Sequence, residues 1–163
     1  LRGLYWDAID FNRGLIRVSQ RADEKGHIGS VKSAAGRRDI SLAPMLARVL
    51  REWRILCPKG KLVFPNWQGN VENYPNIHRR CWQNICRKTG LIADDGGLLY
   101  TFHHLRHFRA SMLIASGATP KEVQTEIGHA SIQTTFDIYG HMFEEDLSQR
   151  QSRAAEIETE ILG

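Results

Sequence analysis

A chain of 163 residues can bury one sizeable core without disulfides or metal, and 42% hydrophobic with 25% charged residues excludes a disordered or fibrous protein. The net charge of +4 favours an anionic partner, although a solvated basic face gives the same balance. Cys57, Cys81 and Cys86 are odd in number and form no CxxC pair, which excludes a disulfide frame or zinc ribbon and predicts buried free thiols in a reducing compartment, the cytoplasm. No apolar run approaches the roughly 18 residues of a membrane span.

Ile9-Asp10-Phe11, a turn at Asn12-Arg13-Gly14, and Leu15 to Ser19 read as strand, turn, strand, with Gly14 supplying the left-handed position. Residues 20–36 read as a polar, glycine-rich loop, and Asp39-Ile40-Ser41-Leu42 as a third strand. Pro44 opens a helix in which Met45, Leu46, Val49, Leu50, Trp53 and Leu56 keep a 3.6-residue period until Pro58. A second helix spans about 75–89, with Ile77, Cys81 and Ile85 inward. Thr101 caps a helix over about 102–116, with Phe102, Leu105, Phe108 and Met112 as its buried stripe. Thr119-Pro120-Lys121-Glu122 is a capping box for a short helix that Gly128 ends. Ser131 starts another that reaches Tyr139, and a charged helix over 143–162 carries Leu147, Ala154, Ile157 and Ile161 as its apolar stripe. The expected fold is mostly α with a small three-stranded antiparallel β-sheet.

His103 and Arg106 stand three apart in the first turns of their helix, so they project to one side. Backbone N–H groups there favour a phosphate and disfavour an imidazolium. A neutral His beside a fixed Arg suits phosphoryl chemistry, one moving a proton and the other holding negative oxygen. His129 follows the helix-ending Gly128, and Tyr139 lies ten residues later. A phenol is a usable nucleophile when a base takes its proton and cations stabilise the phenolate. Each residue alone reads equally as a capping His or a packed aromatic; the combination carries the chemistry.

The segments HHLRH and IGHASIQTTFDIYGH resemble the two C-terminal boxes of tyrosine recombinases, His-x-x-Arg followed by Leu-Gly-His and Tyr. LRGLYWDAIDF resembles the family's Leu-x-x-Leu-x-Trp-x-x-Ile-Asp segment, and VKSAAGRRDISL its β-hairpin with a catalytic Lys. The resemblance runs from residue 1 to about 141 and implies the catalytic domain of a phage-integrase type enzyme, performing site-specific DNA recombination. It implies that Tyr139 attacks the scissile phosphate to give a 3′-phosphotyrosyl link, that Arg106 and His129 hold the non-bridging oxygens, and that His103 is the general acid–base. Lys32 would protonate the leaving oxygen, with Lys25 the lesser candidate. No metal, nucleotide or other cofactor is required by that chemistry.

The same resemblance implies a double-stranded DNA partner carrying a specific site, a homotetramer on DNA, and a last helix that docks on a neighbouring protomer or folds back on its own domain. Arg37, Arg38, Arg79 and Arg80 are candidates for phosphate contact, with a solvated face as the plain alternative. One feature departs from the pattern: the family's first catalytic Arg, about nine residues before the Trp aligned with Trp6, falls upstream of Leu1, as does its core-binding domain. The expectation is that this piece alone reacts more slowly by about 10²–10³, the cost of one lost oxyanion donor. The rivals are a helix-turn-helix DNA-binding module over 119–139, a metal-dependent hydrolase using His103, His104, His107 and His129, and a type IB topoisomerase with the same chemistry.

Overall fold

The computed structural model describes residues 1–143 and 147–162. Strands β1 (Ile9–Asp10), β2 (Leu15–Val18) and a later strand, Arg38–Ser41, form the expected antiparallel sheet with β2 in the centre. Gly14 takes φ +65° in the first turn, which the Asp10 carboxylate closes by accepting the N–H groups of Asn12 and Arg13 at 3.0 and 2.8 Å. Ile9, Ile16 and Ile40 are cross-strand neighbours in register, so one face of the sheet is apolar.

The stretch read as a loop contains a second hairpin, β3 (Gln20–Ala22) with β4 (Ile28–Ser30). The Asp23 N–H donates to the His27 carbonyl at 2.9 Å, the Asp23 carboxylate accepts the His27 N–H at 2.8 Å, and Gly26 turns at φ +87°. Most of its side chains stay at least partly in water, so no apolar alternation announces it. The later strand of the main sheet is therefore β5 (Arg38–Ser41).

Helix α1 (Pro44–Leu56) lies against this sheet through Ala47 and Leu50, which join Trp6, Ile9, Leu42, Cys57 and Val63 in a first core. Burying each large apolar side chain in such a cluster contributes about 1.5–3 kcal/mol. Met45, Leu46, Val49 and Leu56, expected on the inner face, are exposed. The sheet is too narrow to cover more than the Ala47–Leu50–Trp53 stripe, which the Trp53 indole N–H anchors on the Val63 carbonyl at 2.6 Å.

The second helix is interrupted. Helices α2 (Tyr74–Ile77) and α3 (Gln83–Lys88) are joined by a π-helical turn, His78–Trp82. One extra residue in that wide turn shifts the inward face, so Trp82 and Cys86 are buried while Cys81 and Ile85, expected inside, are exposed. Trp82 fixes the shift by donating its indole N–H to the Tyr100 carbonyl at 2.8 Å.

Helices α4 (Phe102–Ala115), α5 (Pro120–Ile127) and α6 (Ile132–Tyr139) enclose a second core of Ala110, Val123, Ile127 and the ring of Tyr139. Here α4 turns the face of Ala110 inward; Leu105, Phe108 and Met112, expected to be buried, are exposed on another face. Helix α7 (Leu147–Leu162) follows, and Ala154, Ile157 and Ile161 of its stripe are exposed. No helix among the described residues is long and apolar enough to cross a membrane.

Candidate active site

Helix α4 begins where Thr101 caps it. The Thr101 hydroxyl accepts the His103 N–H at 3.3 Å, and His104 Nδ1 accepts the Thr101 N–H at 3.1 Å. His104 is thus spent on the cap, and the His103 ring stays exposed in the first turn. Ala110 is completely buried, and Arg106 and His107 precede it by four and three residues. Helical spacing therefore aims both side chains at the core that α4 shares with α5 and α6.

The capping box at Thr119 starts α5, and Gly128 ends it in the left-handed conformation at φ +79°. His129 comes next, its carbonyl bonded by the Gln124 side-chain amide at 3.2 Å. Its Nδ1 meets the hydroxyl of Thr135, a fully buried side chain one turn before Tyr139, at 3.0 Å. The His129 ring lies nearly parallel to Tyr139, centroids 6.4 Å apart and planes 10° from coplanar.

Tyr139 ends α6 and is only 4% exposed as a residue. Its hydroxyl leaves the apolar cluster and meets His107 Nδ1 at 2.8 Å, while His103 stacks edge-on against His107 at 4.7 Å. Burial holds the phenol above its ordinary pKa, with the charge of Arg106 pulling the other way. The His129 imidazole is held below its ordinary value by burial, then by the charges of Arg106 and His107. His107 is lowered by desolvation and then by His103, His104 and Arg106. The surroundings therefore favour the protonated form of the Tyr139 phenol and the neutral forms of the His107 and His129 imidazoles, beside the guanidinium of Arg106.

Four of the five expected catalytic side chains gather here: Tyr139, Arg106 and His129 at close quarters, and His103 through His107. Lys32 is exposed on the loop after β4. That loop adjoins the site, because a Cβ on Gly128 would lie 3.1 Å from the Ala35 carbonyl oxygen. Arg38 points inward, donating from Nε to the Glu126 carbonyl at 3.0 Å and from Nη1 to the Gly36 carbonyl at 3.1 Å. Its guanidinium is destabilised first by burial and then by Arg106. Arg37 is exposed, as are Arg79 and Arg80 on the π-helical turn.

Sequence reasoning missed His107, which entered only as a metal ligand in one rival reading, and Thr135, which entered only as part of a motif. The available signal for His107 was its place one turn after His103 and three residues before an inward Ala. Among the described residues no three His, Cys, Asp or Glu side chains are placed to hold a metal ion.

Residues 1–146 match the model of the phage integrase family. The chain is 22% identical over 169 residues to the prophage integrase IntR of Escherichia coli K12, covering 93% of this chain and 41% of that protein. It is 28% identical over 144 residues to the tyrosine recombinase XerC of Xylella fastidiosa strain M23, covering 87% of this chain and 42% of that protein. The chain thus spans less than half the length of these relatives. The solved Tn1549 transposon integrase, in complex with circular intermediate DNA, superposes with a TM-score of 0.70 at 19% identity, over 99% of this chain and 54% of that one. Fold, ordered motifs and family match agree: the chain belongs to the phage integrase family, the tyrosine recombinases.

Proposed function

We propose that this chain is the catalytic domain of a site-specific DNA recombinase, cutting and rejoining double-stranded DNA through Tyr139. The observation that carries the reading is the Tyr139 hydroxyl, withdrawn from an otherwise apolar cluster to meet His107 beside Arg106 and His129. In the reaction a phenol O–P bond forms and the P–O5′ bond breaks, leaving a 3′-phosphotyrosyl link and a 5′-hydroxyl that attacks in reverse. Arg106 and His129 stabilise the charge that develops on the non-bridging oxygens. His103 takes part in proton transfer, and Lys32 protonates the leaving oxygen from its loop. A non-catalytic DNA-binding module would leave this polar arrangement without a purpose.

On the same reading the parent protein supplies a core-binding domain and a further Arg, and works as a tetramer on DNA in the cytoplasm. The 163-residue chain alone then reacts more slowly by about 10²–10³. Its own DNA affinity is weak, salt-dependent and directed mainly at phosphate, with Arg37, Arg79 and Arg80 as exposed contacts. The test is covalent capture. Full-length protein, mixed with nicked duplexes copied from the junctions of the DNA element carrying its gene, forms an SDS-stable adduct that survives excess EDTA. Tyr139→Phe abolishes it. Capture by the Phe variant, or its loss on chelation, rejects the reading.

A further inference from the structure

The hydroxyl of Tyr139 rests on an imidazole that the sequence boxes give no role. His107 is held in place from three sides. Ala110, one turn further along α4, is sealed in the core and fixes the direction of that face. His103 stacks edge-on behind the ring, centroids 4.7 Å apart and planes 84° from parallel. Tyr139 closes the front, with 2.8 Å between its oxygen and Nδ1 and 5.8 Å between ring centroids. The ring also borders a cavity of about 460 Å³ whose walls include Trp82, Leu91, Tyr100, Leu105 and Phe108. His103, the family-like candidate for the proton transfer, stands behind His107.

We propose that His107 is a further catalytic residue, whose Nδ1 holds the Tyr139 hydroxyl before cleavage and takes the phenol proton as the oxygen attacks phosphorus. The inference rests on Tyr139 being the nucleophile. As the phenol O–H breaks, its proton moves to Nδ1 and its electron pair forms the O–P bond; the P–O5′ bond then breaks with its electrons on O5′, which Lys32 protonates. Rejoining runs the steps backward, and His107 returns the proton to the phenol. In the Nε2–H tautomer of a neutral His107, Nδ1 accepts the hydrogen bond that the Tyr139 hydroxyl donates, and this is the tautomer on which the proposal rests.

The groups facing His107 suit a base that must also give its proton back. His103, His104 and Arg106 on α4, His129 before α6 and, across the cavity, Tyr100 surround it, with Tyr139 in front. The positive and potentially positive members make the imidazolium a ready acid, and an arriving phosphodiester offsets part of that repulsion. Proton transfer of this kind contributes about 10²–10⁴ in rate.

The experiment is single-turnover cleavage of the same nicked duplexes by full-length protein, followed from pH 5 to 9, for wild type, His107→Asn, His103→Asn and Tyr139→Phe. An Asn amide oxygen can occupy the place of Nδ1 and accept the phenol hydrogen bond, but it takes up no proton. The proposal expects His107→Asn to cleave about 10²–10⁴-fold more slowly, still through Tyr139, and to lose the acid limb of the wild-type profile. A purely positioning role predicts that Asn restores the rate with the limb intact, and that result overturns the proposal. So does a limb lost in His103→Asn but kept in His107→Asn. Adduct formation by Tyr139→Phe instead rejects the nucleophile itself.

Discussion

Arg38 on β5 donates from Nε to the carbonyl oxygen of Glu126 near the end of α5, 3.0 Å away and 88 residues later in the chain. With its second bond to Gly36 it clamps the sheet, the loop carrying Lys32 and the corner that sets His129 into one unit. It does so beside Arg106, against which its charge is repelled.

The first prediction follows from that clamp. Arg38→Ala loses charge-assisted bonds to two carbonyls and costs about 1.5–3 kcal/mol, read as a lower urea midpoint at unchanged slope. Arg38→Lys recovers little, because a single ammonium lacks the fork that spans both acceptors. A full recovery by Lys shows that only the charge matters.

Gly128 leaves no room for a side chain. Its φ is +79°, and a Cβ there would lie 2.8 Å from Arg38 Nη1 and 2.9 Å from Cζ. Gly128→Ala therefore costs more than the roughly 1 kcal/mol of left-handed strain alone, because the clamp must also move. Thermal unfolding measures it; a neutral Ala variant contradicts the packing described.

Thr135 keeps the His129 ring in place through one hydroxyl. Thr135→Val retains the shape, removes the bond and costs on the order of 1 kcal/mol. Its larger effect is on cleavage, where a ring free to turn loses up to about 10²-fold in rate. Equal single-turnover rates for the two proteins would dismiss the anchor.

His107 and His129 both titrate below the ordinary imidazole value in the folded chain. The unfolded chain gains those protons first as pH falls, so the stabilisation is complete above the ordinary value and is lost progressively as pH drops toward the folded ones. Tm is expected to fall between about pH 7 and pH 5. Replacing both imidazoles with Asn flattens that slope, and a slope unchanged by the pair assigns it to other groups.

The features legible in the sequence are those decided within a few residues. The cap at Thr101, the capping box at Thr119, the helix start at Ser131 and the helix-ending Gly128 all occur where local rules put them, while the part His104 plays in the first cap was not read. The burial of Trp82 in place of Cys81 was not legible, because a single extra residue in one turn depends on an indole finding the carbonyl of Tyr100. Nor was the outward face of Leu105, Phe108 and Met112: an apolar stripe reads alike whether its own domain covers it or leaves it open. Among three clustered histidines, only the packing of Ala110 against α5 and α6 selects the one that meets the phenol.

The phosphotyrosyl exchange proposed for this chain keeps the energy of the bond it breaks, so no fuel-consuming step would stand between such an enzyme and an unwanted nick. Restraint has to come from the protein's shape. Tyr139 as a whole is only 4% exposed, so on the proposed reading its ring has to be uncovered before the oxygen can reach a phosphate.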